Sequence, residues 1–114
     1  MNKMRRKELY NVSNLVANVY NNIKDDINQI NIITSIQQII RELENIKSDE
    51  EDYMYNNPEN MQSGSRYADA EEACDNMDMA INYLYAIVED EQCTTTEIMN
   101  TLNLCIPYIN KAAI

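Results

Sequence analysis

The chain has 114 residues and a net charge of −10, with 45 % hydrophobic and 25 % charged residues, which is one domain's length with enough apolar content for a core. A single Gly, two Pro and no His exclude a turn-rich all-β fold, a glycine-rich phosphate loop and any catalytic or metal site built on imidazole. No apolar run approaches the roughly 20 residues of a membrane span, and the opening Met1-Asn2-Lys3-Met4-Arg5-Arg6-Lys7-Glu8 is too polar for a signal peptide.

Residues 3–52 are predicted to be helical. Leu9, Val12, Val16, Val19, Ile23, Ile27 and Ile30 recur every three or four residues, and Ile33, Ile36, Ile40, Leu43 and Ile46 continue the pattern. That period marks one face of a helix. A single helix over 3–48 would be about 70 Å long, so two helices or one kinked helix are expected. The expected break is Asn31-Ile32-Ile33-Thr34-Ser35, where β-branched residues cluster and Ser35 stands three before Gln38, a capping-box spacing.

Residues 53–65 form the predicted irregular segment, with the helix ending near Tyr55. Asn57-Pro58-Glu59 reads as a cap with proline at a first helical position. Gly64 permits the reversal and Ser65 caps the next helix. Tyr53, Met54, Tyr55 and Met61 make the segment too apolar for a floppy loop, so it is expected to be ordered, with Met61 and Tyr67 on the first helix.

Helix is predicted again over 66–91. Tyr67, Ala70, Cys74, Met77, Ile81, Leu84 and Val88 alternate spacings of three and four, an a/d heptad seam. Ala73, Ala80 and Ile87 widen it, and its small residues allow a neighbouring helix to come close. The seam is expected to bury against the N-terminal helices. A last helix over 95–112 starts at Thr94-Thr95-Thr96-Glu97, again with capping-box spacing. Ile98, Leu102, Cys105, Ile109 and Ala112 form its apolar face, and Pro107 is expected to kink or split it. The fold class is therefore all-α: a single domain, 1–114, forming an antiparallel bundle of three to five helices. The N-terminal stripe is longer than the third segment can cover, which points to a homodimer.

Charge is polarised along the chain. Residues 1–41 carry a net +3 and residues 42–97 a net −14. The acidic part repels nucleic acid and suits a basic protein surface. Its candidate partner-binding residues are Asp69, Glu71, Glu72, Asp75, Asp78, Glu89, Asp90 and Glu91. Glu71, Asp75 and Asp78 share a helix face, but a di-iron site needs a Glu-x-x-His motif and a calcium loop needs a glycine at its turn. No metal, cofactor or catalytic residue is assigned, and the chain is read as a non-enzyme. Cys74, Cys93 and Cys105, odd in number and widely spaced, read as buried thiols in a reducing cytoplasm rather than a disulfide framework or a zinc pattern.

Two stretches carry a resemblance: the basic start Met1-Asn2-Lys3-Met4-Arg5-Arg6-Lys7-Glu8-Leu9, and Tyr55-Asn56-Asn57-Pro58-Glu59-Asn60-Met61-Gln62-Ser63-Gly64-Ser65-Arg66-Tyr67 with Glu71-Glu72-Ala73-Cys74-Asp75-Asn76-Met77 after it. Together the sequence resembles a group of short, acidic, helical proteins of Gram-positive gut bacteria, their phages and mobile elements. The group's usual form is a basic start, one helix, a Tyr-Asp-Asn-x-Pro-Glu-Asn-Leu-Gln-x-Ser-x-Arg segment and a second helix. The likeness covers about half of the chain, whose first helical region is longer and whose residues 92–114 extend past the usual end. It brings no activity and no functional residues with it. It does imply a phage-type inhibitor that binds a host protein in the bacterial cytoplasm, a nucleic-acid-binding enzyme such as a CRISPR nuclease. The competing expectation is a small structural or accessory helical dimer.

Overall fold

Asn2 opens the first helix. Its side-chain oxygen accepts the Arg5 amide at 2.8 Å and its backbone carbonyl accepts from Arg6 at 3.0 Å, so it is an N-cap. This computed structural model describes residues 1–24, 29–56, 65–90 and 92–114. Its helices are α1 (Lys3–Lys24), α2 (Gln29–Tyr55), α3 (Ser65–Glu89) and α4 (Thr95–Ala112). The protein is an all-α helical bundle. Its extents of 52 × 23 × 18 Å are about two helix diameters across in each short direction.

Burial obeys the apolar period. On α1 it takes Leu9, Val12, Val16, Val19 and Ile23. At about 1.5–3 kcal/mol for each buried aliphatic side chain, this stripe outweighs the ~1 kcal/mol that a cap contributes. On α3 the heptad positions Ala70, Cys74, Met77, Ile81 and Leu84 are buried with Ala73, Ala80 and Ile87, while Tyr67 and Val88 pack half-buried against the same core. On α4, Ile98, Leu102, Cys105, Ile109 and Ala112 are buried.

Each helix packs on two others. α1 lies against α2 and α4, and α3 lies against α2 and α4. The heptad seam therefore faces α2 and α4, with α1 diagonal to it; the expectation that both N-terminal helices cover it holds only for α2. Ala80 shows why α3 carries small residues. Its carbonyl lies 3.7 Å from the Cys105 Sγ of α4, a backbone approach that a larger side chain would prevent. Between α2 and α3 the contacts run Glu44 to Tyr85, Lys47 to Asp78 and Met54 to Cys74, in opposite senses along the two helices.

Several local expectations are corrected. Helix is unbroken through Asn31–Ser35, because Ile32 and Ile36 anchor it in the core and packing overrides the weak propensity of β-branched residues. The two N-terminal helices are instead separated between Lys24 and Gln29. Ile27 and the side chain of Ile30 lie outside the described residues. Ile32 and Ile39 are buried where the expected stripe had Ile33, which is half-buried. Tyr53–Tyr55 belong to α2 and Ser65 to α3, so both ends of the segment expected to be irregular, 53–65, are helical. The cap at Asn57-Pro58-Glu59, Met61 and Gly64 lie outside the described residues. Pro107 does not split α4; it is exposed, so water can serve the Asn103 carbonyl that loses its amide partner. The Thr94 cap forms as expected, accepting the Glu97 amide at 3.2 Å. Among the described residues, the apolar stripes of α1 and α2 pack into the core of the chain itself.

Candidate functional site

The acidic residues expected to bind a partner are spread along the length of α3. Asp69 and Asp90 are separated by most of α3, roughly 30 Å at 1.5 Å per residue. Glu71, Asp75 and Glu89 are exposed. Asp78 is half-buried and accepts Lys47 Nζ at 2.6 Å, while the same ammonium reaches Glu51 at 3.4 Å. That contact with Asp78 is the main reason the Lys47 pKa is raised, against the opposing effect of its partial burial. Glu91 lies outside the described residues.

Asp69 and Glu72 line a groove of about 790 Å³ at one end of the bundle, together with Arg6, Tyr53 and Lys111. Here α1 and α2 are tied by a buried ion pair that apolar periodicity does not reveal. Glu50 is fully buried. Its carboxylate accepts from Arg5 Nε, and the Met1 ammonium lies 3.5 Å from its other oxygen. The Arg5 guanidinium also sits 5.5 Å from the Tyr53 ring, a cation–π distance. Arg6 donates to the Met1 carbonyl at 3.0 Å, while its Nε is buried without an acceptor among the described residues. The signal for Glu50 was its register: it stands four after Ile46 and four before Met54, in the slot of a core residue.

A second groove, about 570 Å³, runs between α1 and α2. Its walls are Glu8, Asn11 and Asn14 on one helix and Glu42, Asn45 and Asp49 on the other, over a floor of Val12, Leu15 and Ile46. Among the described residues none of its three carboxylates has a cation within 4.0 Å. Glu42 accepts the Gln38 side-chain amide at 3.1 Å. Sequence patterning does not single out these carboxylates, because they are far apart in the chain and only the α1–α2 pairing brings them together.

At the other end of the bundle Asp90, Cys93 and Glu97 place one ligand atom each within 4.8 Å of one another. Such a set is able to hold a divalent cation. Its members also serve the chain locally: Asp90 accepts the Gln92 backbone amide at 3.0 Å through its side chain and the Cys93 backbone amide at 3.2 Å through its carbonyl. Burial first, then the two carboxylates, pushes the Cys93 pKa up. Burial likewise raises Cys105 to about 12, and burial together with Glu51 and Glu50 raises Cys74 to about 12. A reactive thiolate needs the opposite surroundings.

No helix among the described residues is long and apolar enough to cross a membrane. No family model, no curated protein and no solved structure matches the chain.

Proposed function

We propose that the chain is a small, non-catalytic, protein-binding protein that acts by stoichiometric binding to a basic surface. The observation that carries this reading is the display of unneutralised carboxylates. Glu71, Asp75 and Glu89 on α3, and Glu8, Glu42 and Asp49 beside the α1–α2 groove, make no ion pair among the described residues. In a chain of net charge −10, such a surface repels nucleic acid and favours proteins that hold it. The absence of His and the raised thiol pKa values leave few means of nucleophilic or general-base catalysis. With the resemblance to phage and mobile-element proteins, the partner class is a host defence enzyme that binds nucleic acid, such as a CRISPR nuclease, met in the bacterial cytoplasm.

Immobilised protein and a host lysate test the reading. At low salt a nuclease or other nucleic-acid-binding protein is retained, it elutes as salt rises, and its activity falls to zero at one equivalent of this chain. Recovery of no such protein at low salt overturns the proposal.

A further inference from the structure

The groove between α1 and α2 has a composition that selects its occupant. Its lining runs from Glu8 to Leu15 on α1 and from Glu42 to Asp49 on α2, about 10 Å of each helix. All six polar side chains of the lining are carboxylates or carboxamides and none is a cation. Their oxygens are acceptors on two facing walls. Glu8 and Glu42 are half-buried, so a cation placed between them is screened less by water than one on an open surface. The floor is apolar: Val12 and Ile46 are buried and Leu15 is half-buried.

We propose that this groove is the anchor point for an arginine side chain of a basic protein segment. A guanidinium offers five donors in a planar fork, which suits acceptors on both walls at once, and its methylene stem covers the apolar floor. Lysine offers a compact, strongly hydrated point charge and uses the divided acceptors less well. The inference rests on the reading of the protein as a binder of basic surfaces, and it moves the centre of binding from the α3 carboxylates to α1 and α2. The α3 face is less suited to the role. Asp78 is already neutralised by Lys47, and Asp69 and Glu72 share their groove with Arg6 and Lys111.

Titration of the full chain with hexa-arginine and hexa-lysine peptides at low salt, read by calorimetry and by amide chemical shifts, tests the proposal. Hexa-arginine is expected to bind more tightly and to perturb residues 8–15 and 42–49. The triple variant Glu8→Gln/Glu42→Gln/Asp49→Asn is expected to weaken it at least about tenfold, since charge-assisted bidentate hydrogen bonds are lost. A control of equal charge change, Glu71→Gln/Asp75→Asn/Glu89→Gln, is expected to weaken it far less. Asn11→Lys, which puts the chain's own ammonium in the groove while leaving every carboxylate in place, is expected to block binding as well. If both triple variants weaken the peptide equally, or the shifts centre on α3, the groove assignment fails while the acidic-surface reading stands. Equal affinity for hexa-lysine overturns the choice of arginine. If neither peptide binds, both readings fall.

Discussion

Arg5 of α1 and Glu50 of α2 form an ion pair in which the carboxylate is fully buried and the guanidinium side chain is 13 % exposed. An ion pair so placed adds little over apolar packing, but its halves are costly to separate. Arg5→Ala would leave Glu50 with the Met1 ammonium alone and is expected to cost about 3–5 kcal/mol. The double variant Arg5→Met/Glu50→Met is expected to recover only part of that loss, because the Met1 ammonium, which also faces Glu50, then loses its counter-charge. Chemical denaturation of the three proteins checks this, and a single-variant loss below about 1 kcal/mol would place the pair in water instead.

Leu84 and Asp75 tell the inner face of α3 from its outer face. Leu84 is fully buried and Asp75 exposed. Leu84→Ala is expected to cost about 2–5 kcal/mol, a large share of the roughly 5–15 kcal/mol typical of a whole domain. Asp75→Asn is expected to stay within about 0.5 kcal/mol. Thermal melts suffice to measure both, since about 1 kcal/mol moves the midpoint of a domain this size by several degrees. An unchanged melt for Leu84→Ala beside a collapsed one for Asp75→Asn would reverse the two faces.

The same two residues show how much was legible in advance. The α3 stripe could be read because its spacing alone dictates a face, and the Thr94 cap because its chemistry is local. The break between α1 and α2 was misplaced because β-branched propensity at Ile32–Thr34 is worth tenths of a kcal/mol, whereas the burial of Ile32 and Ile36 is worth several. Glu50 was missed because apolar periodicity ignores charged residues even when they occupy a core slot. The groove carboxylates were missed for a different reason: Glu8 and Glu42 line one groove only through tertiary pairing, whereas a run such as Asp69, Glu71 and Glu72 is visible at once. The visible run proved to be spread along a helix whose Asp78 is already paired.

Lys47 and Asp78 give a prediction in pH. The folded-state pKa of Lys47 lies above its ordinary 10.5, chiefly through Asp78. The pair's stabilisation is therefore fully present below pH 10.5 and is lost as pH rises through the folded pKa. Because Lys47 and Asp78 are partly exposed, the contribution is expected to be at most about 1 kcal/mol. Asp78→Asn should lower the Lys47 pKa and flatten the alkaline edge of the stability profile. An NMR titration of the Lys47 side chain measures the first effect and denaturation across about pH 9–12 the second. A Lys47 pKa that does not respond to the loss of Asp78 would dissolve the link.

Pro107 sits inside an unbroken α4 with its ring exposed. The residue denies the Asn103 carbonyl its usual amide donor, and a proline in a helix interior is about 3 kcal/mol less favourable than alanine. It also stiffens the unfolded chain, which returns about 0.4–1 kcal/mol to the folded state. The difference sets the expectation: Pro107→Ala stabilises the protein by about 2 kcal/mol. Neighbouring packing should be preserved, because Cys105 and Ile109 are held in the core by α4's own register and Tyr108 by its ring contact with Tyr83 at 5.9 Å. Urea denaturation should show a higher midpoint with an unchanged slope, the mark of a stability change without a change in compactness. A lower midpoint would mean that the proline bends α4 to seat Tyr108 and Ile109, and that alanine, by straightening the helix, unseats them.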